Sequence, residues 1–289
     1  MQADPRCPRS RALDTLGQPR RHVKRRHLGE RFLLSAATSA LVVVGSACSA
    51  SAPPASLANL EGTAKQCSGV GRIALVASDE SETSREATFQ RVRQQVMRDE
   101  ITRTAVCGGH FRLTIFSGSQ VGQTVFDGDL RADGATEIAR LRKVPKIVDE
   151  TMNAVNKALP AARDKLPGDG TDTTAQYQVA AEYFAQAKPT TGTALMEFTM
   201  LTDGISTVPT ELSDRNLATG DAMRLARTVT PAQLPGINVR IIGVGRTSGD
   251  EQLPSAYVDA LKAFQAEVCR ASRAASCLIV TDPESGGAK

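Results

Sequence analysis

The sequence predicts an α/β fold, with a mostly parallel central sheet, one antiparallel hairpin strand and helices on both faces. Three observations carry this. Short apolar runs rich in branched residues alternate with stretches of helical period from about residue 71 to 280. The run from Ile73 to Ala77 stops at a polar loop containing Asp79, as a buried strand does when it opens onto a ligand crevice. Two apolar runs, 111–116 and 121–126, flank Gly118-Ser-Gln and read as a hairpin.

The elements follow in order. Strand one spans 71–78, and a helix over 84–104 carries Phe89, Val92, Val96 and Ile101 at near-helical spacing. After the hairpin, residues 127–134 read as a Gly/Asp loop. A long helical stretch over 135–163 puts Leu141, Val144, Val148, Met152, Val155 and Leu159 on one face, and Pro145 should kink or restart it. A third helix ends near 187, and a strand covers 194–201. A loop and helix fill 205–228, an apolar strand covers 237–245, and a helix opens at Pro254 and runs to about 272. The last strand is 277–280.

Charge separates the leader from the rest. Residues 1–47 hold nine Lys and Arg against Asp4, Asp14 and Glu30, a net of about +6, which leaves 26 basic and 28 acidic residues beyond. The basic balance therefore belongs to the leader and gives no reason to propose nucleic acid as a partner. The chain has no Trp and 4% aromatic residues, so stacking on bases or sugars has little to work with.

That leader reads as an export signal: a basic run at 20–26, an apolar run at 32–44 shorter than the roughly 20 residues of a spanning helix, then small residues. Val-Gly-Ser-Ala-Cys48 resembles a bacterial lipobox, with Gly45 where leucine is usual. Lipidation of Cys48 would give a membrane anchor, and cleavage after Ala50 or Ala52 is the alternative. Residues 48–66, with Pro53-Pro54, read as a flexible tether, 67–282 as the domain and 283–289 as a tail. Export permits disulfides. The best pairing joins Cys67 to Cys107 and Cys269 to Cys277, because each pair flanks elements expected to be neighbours.

Three loops carry oxygen ligands: Asp79-x-Ser81-x-Thr83 after strand one, Thr171 in Gly170-Thr-Asp-Thr173, and Asp203 in Leu-Thr-Asp-Gly204. In a parallel sheet they open onto one edge. Two carboxylates and three hydroxyls, without thiolate or imidazole, form a hard oxygen site that suits Mg²⁺ best, with Mn²⁺ or Ca²⁺ as alternatives. Taken singly, the first loop reads equally well as a turn capping the next helix, and Asp203-Gly204 as a plain turn. Asp172 and Thr173 read as turn residues or outer supports. Glu80 and Glu82 are expected to point outward into solvent. Asp127 and Asp129 form a poorer cation candidate, and the exported part's one histidine, His110, belongs at the far end of the sheet.

With these residues in place, the chain resembles the von Willebrand factor type A domains that carry a metal-ion-dependent adhesion site. That pattern has Asp-x-Ser-x-Ser on the first loop, Thr on the second and Asp on the third. Asp79, Ser81, Thr171 and Asp203 match it, and Thr83 takes the last Ser position. Gly243-Val-Gly245 is similar too. In integrin-type members a helix after the last strand is linked to affinity; nine residues follow Val280 here, so that switch is not part of the expectation.

The resemblance implies an exported, lipid-anchored binding protein that captures an acidic side chain of a protein partner through Mg²⁺, with no bond broken. A metal-free interaction scaffold is the alternative. A metal-dependent phosphoester hydrolase is disfavoured. The first loop superficially resembles the Asp-x-Asp-x-Thr of haloacid-dehalogenase phosphatases, but Ser81 stands where those need a second carboxylate.

Overall fold

The structure is a computed structural model that describes residues 56–67, 69–84, 87–118, 122–168, 170–187, 193–247 and 252–283. The expected export signal, Cys48, the expected tether up to residue 55 and the last six residues lie outside them. Six strands form one sheet in the order β3-β2-β1-β4-β5-β6. They are β1 (Gly71–Asp79), β2 (Gly109–Phe116), β3 (Gln123–Leu130), β4 (Ala194–Leu201), β5 (Ile237–Ile242) and β6 (Ser276–Val280). Every pairing is parallel except β2 with β3. The expected hairpin on a parallel sheet is there.

The chain winds outward from β1 in one direction and from β4 in the other, so the strand order reverses between them. In open parallel sheets the loops at such a reversal diverge and leave a crevice. β1 is buried from Arg72 onward, and its alternating side chains feed two cores. Ile73, Leu75 and Ala77 pack with Tyr177 of α5 (Ala175–Gln186), Ala222 of α6 (Thr219–Thr228) and Phe264 of α7 (Ser255–Ala271). Ala74 and Val76 pack with Ile101 of α2 (Ala87–Cys107) and Met152 of α4 (Val144–Arg163). Emptying either core at a large side chain, as in Leu75→Ala, costs about 2–5 kcal/mol.

Two expectations need correction. Residues 57–67 are not tether but helix α1 (Leu57–Cys67). Ser56 caps it, its hydroxyl accepting from the Asn59 N–H at 3.3 Å. Leu60 and Cys67 are buried against α2, and Leu57 and Ala64 pack beside them. The other correction is at 127–130, which continues β3 rather than forming a loop. Asp127 and Asp129 sit on an edge strand, where alternate side chains face water and a Gly/Asp composition is tolerated. The long helical stretch breaks into α3 (Glu137–Leu141) and α4, with Pro145 in the first turn of α4, as a restart at proline requires.

Both expected disulfides form. Cys67–Cys107 ties the ends of α1 and α2, and Cys269–Cys277 ties α7 to β6. Such bonds persist in an oxidising, extracytoplasmic environment. Among the described residues no helix is long and apolar enough to cross a membrane.

Candidate functional site

The crevice between β1 and β4 gathers the predicted residues. Asp79 is the last residue of β1 and is fully buried, and both its oxygens are occupied. Oδ1 accepts from the Ser81 N–H at 2.9 Å, and Oδ2 from the hydroxyls of Ser84 at 3.1 Å and Thr202 at 2.8 Å. The first loop is therefore an Asx turn as well as a ligand loop. It holds the Ser81 and Thr83 hydroxyls 3.4 Å apart in a short 3₁₀ turn over residues 82–84.

Asp203 follows β4, buried as completely as Asp79. Its Oδ1 accepts from the Ile205 N–H at 2.9 Å, whereas Oδ2 is buried with no hydrogen-bond partner. Burial first, and the nearby Asp79 carboxylate second, push the Asp203 carboxyl up to about 7. The Thr83 hydroxyl faces this carboxylate and eases its charge. Gly204, at φ +82°, lets the chain turn directly behind the carboxylate, and a Cβ there would press on Val244 at 3.0 Å. The Gly245 N–H then donates to the Asp203 carbonyl at 2.8 Å, binding the loop after β5 to the site.

Thr171 is brought in by backbone rather than by a strand. The Gly118 N–H donates to the Gly170 carbonyl at 2.6 Å and the Asp172 N–H to the Gly118 carbonyl at 3.1 Å, so its loop rides on the turn after β2. Asp172 is engaged by the start of α5. Its Oδ1 accepts from the N–H groups of Thr174 and Ala175 at 2.9 Å, capping α5. Gln265 of α7 spans loops two and three, donating to the Thr173 hydroxyl at 3.1 Å and the Gly204 carbonyl at 3.4 Å. Ser81, Thr83 and Thr171 all line one cavity of about 460 Å³. Asp79 and Asp203 are buried and do not line that cavity; Asp203 lies near Asp79 and is faced by the Thr83 hydroxyl.

Glu80 is the clear miss. It does not point into solvent but is buried at 2% exposure, its oxygens meeting Arg93 Nη1 at 3.4 Å and Arg163 Nε at 2.8 Å. Arg93 is itself buried, lies 4.4 Å from the Phe89 ring and leaves Nε and Nη2 without partners. Burial above all holds this guanidinium below its ordinary value, against the pull of Glu80, Asp79 and Asp203. Gly243, at φ +105°, makes room for Phe89, since a Cβ there would lie 2.1 Å from the ring. The sequence does hold a signal: Arg93 stands at the inward register of α2, one turn after Phe89. Glu82 is exposed, as expected.

The poorer candidate lies elsewhere. His110 opens β2 at the other end of the sheet, with Nδ1 2.8 Å from Asp129 and Nε2 2.7 Å from Asp127. Asp127 also pairs with Arg112 at 2.7 Å, so its charge is already answered. No group of three or more His, Cys, Asp or Glu side chains among the described residues is set to hold a metal. The crevice differs, because three of its five ligand side chains are hydroxyls.

No family model matches the chain, and no curated protein does. Among solved structures it is similar to the conserved hypothetical protein BatB from Bacteroides thetaiotaomicron. The identity is 11% and the TM-score 0.38, over 74% of this chain and 93% of that one. The site rests on its own geometry and takes nothing from that likeness.

Proposed function

We propose that this protein is an exported, lipid-anchored binding protein of the von Willebrand A type, which recognises an acidic group on a protein partner through a divalent cation. Asp203 Oδ2 carries the reading: a buried carboxylate oxygen without a hydrogen-bond partner, on a carboxylate that lies beside Asp79 and is faced by the Thr83 hydroxyl, which itself lines a cavity with Ser81 and Thr171. A buried acceptor left unsatisfied is costly, and a cation is what such a group lacks. The donor set fits Mg²⁺, a hard ion held by few carboxylates. Asp203, Ser81, Thr83 and Thr171 would hold it, and Asp79 would add charge while orienting Ser81.

Charge balance supports the acidic partner. With Asp203 ionised, as a bound cation requires, Asp79, Glu80 and Asp203 count three negative charges against the two positive ones of Arg93 and Arg163. A divalent ion leaves the cluster positive by one, and a single carboxylate from outside neutralises it. The ion would supply Lewis acidity toward that carboxylate. The two disulfides agree with export, and Cys48 is the residue that would be lipidated.

One observation favours a metal-free scaffold instead. Arg93 already puts a buried positive charge near both carboxylates. Mg²⁺ titration calorimetry on the protein and on Asp203→Ala separates the two readings. The cation reading expects a saturable heat that the substitution abolishes; equal, negligible heats from both proteins would leave the scaffold.

A further inference from the structure

The direction of β1 gives the domain two ends. Its nine residues rise about 3.3 Å each, so Asp79 at the crevice stands about 26 Å from Gly71 at the base. Printed contacts fix what lies at that base. Leu130 pairs opposite Gly109, and Gly109 opposite Arg72, so β3 ends there. The Arg140 guanidinium donates to the Val106 carbonyl at 3.2 Å, which holds α3 against the last turn of α2. From this end α4 climbs from Val144 to Arg163, whose Nε meets Glu80 at 2.8 Å beside the crevice. Helix α1 packs on α3 as well as on α2.

The base is cationic, although the chain beyond the leader is slightly acidic overall. Residues 131–146 hold five Lys and Arg against Asp133 and Glu137. Two of the five are engaged, Arg140 by the Val106 carbonyl and Lys146 by Glu150 at 3.7 Å. Arg131, Arg142 and Lys143 are exposed and join no ion pair among the described residues. The Arg142 N–H donates to the Ile138 carbonyl at 3.1 Å, so these two residues stand one helical turn apart on the same face. Ile138 is 48% exposed, which puts a large apolar side chain on the face of an unpaired cation.

We propose that this base, through Arg131, Ile138, Arg142 and Lys143, lies on anionic lipid headgroups and turns the crevice away from the membrane. This depends on the lipid-anchored reading above and adds an orientation to it. From Cys48 to Ser56 the chain stretches to about 29 Å at most, so an anchored α1, with α3 packed on it, stays near the bilayer. Cations close to an anionic leaflet are attracted to it, and a lipid chain joined to a basic patch holds a protein better than the chain alone. The base supplies that second attachment, and a partner then reaches the crevice from the side away from the lipid.

The test uses the mature protein reconstituted in vesicles, after mass spectrometry of Cys48. The chain has no Trp, so Ile138→Trp introduces a single reporter at the base. Ser213→Trp introduces one at the crevice, where Ser213 is exposed and lines the cavity. In vesicles of equal phosphatidylglycerol and phosphatidylcholine, the emission of Ile138→Trp should shift to the blue and be quenched by brominated acyl chains, and that of Ser213→Trp should do neither. Pure phosphatidylcholine should abolish the shift, as should Arg142→Glu with Lys143→Glu in the Ile138→Trp protein. So should 1 M salt, which screens charge beyond about 3 Å. An equal shift in neutral lipid, at Ser213→Trp or after the charge reversal, or no shift in anionic lipid, overturns the inference and leaves the anchor standing. Absence of lipid on Cys48 overturns the anchored reading and this inference with it.

Discussion

Helix α2 carries two buried charge clusters about two turns apart, and they are built in opposite ways. Around Glu100 every charge is answered. Its Oε2 takes Arg72, its Oε1 takes Arg240 Nη1 at 2.6 Å, and Arg72 also reaches Glu197 and the Thr104 hydroxyl. Around Arg93 the network is left open: Arg93 Nε and Nη2 and Asp203 Oδ2 all lack partners. Arg72 and Glu100 in one cluster and Arg93, Glu80 and Asp203 in the other are all at most 2% exposed, so depth does not distinguish them. The saturated one pins α2 to β1, β4 and β5. The unsaturated one sits at the crevice where the strand order reverses, and its unmet acceptor is what a ligand can fill. A buried network that closes on itself stabilises the fold, whereas one left open at a crevice marks a site.

The largest expected effect is on the closed cluster. Glu100→Gln removes the charge that Arg72 and Arg240 share, leaving the buried Arg72 with Glu197 alone as its counter-ion, and should cost about 3–5 kcal/mol in urea unfolding. Mg²⁺ affinity measured under native conditions should not move. If that affinity fell in proportion to stability, the clusters would be one unit and the contrast would be lost.

The open cluster should respond with the opposite sign. Asp203 has a folded-state value raised from 3.8 to about 7, so the folded protein holds a proton that the unfolded chain has released. Stability of the cation-free protein should therefore fall as pH rises from about 4 to about 7, then level off. Asp203→Asn removes this penalty. On the alkaline side of pH 7 it should stabilise the cation-free protein by about 2–4 kcal/mol, since each tenfold change in proton affinity is worth about 1.4 kcal/mol. A denaturation series across pH reads both.

Much of this is legible in the sequence. Strand positions, the hairpin, the restart at Pro145 and both disulfides follow from periodicity, punctuation and spacing, and the expected Ser81, Thr83 and Thr171 share one cavity. The failures share a cause. Glu80 reads as solvated because its neighbours show only a local alternation, while the partners that bury it stand 13 and 83 residues away at Arg93 and Arg163. The α1 helix reads as tether because its few apolar residues acquire value only against α2 and the Cys67–Cys107 bond. Burial that depends on distant partners leaves no local pattern. Arg93, Glu100 and Thr104 do leave one, as polar residues at the inward register of a helix otherwise lined by Phe89, Val96 and Ile101.

The smallest effect concerns charges that are paired but exposed. Asp129 touches His110 and is 79% exposed. Asp129→Asn should change stability by less than about 1 kcal/mol, within the usual range of surface pairs. A loss as large as that of Glu100→Gln would mean that pairing rather than burial sets the scale.

The most direct test compares urea unfolding of the wild-type protein and Asp203→Asn on the alkaline side of pH 7, each with and without Mg²⁺. The variant should be the more stable without the ion, and Mg²⁺ should stabilise only the wild type. A variant less stable than the wild type, with the same response to Mg²⁺ in both, would contradict the claim that Asp203, through its unpartnered Oδ2, is part of a cation site.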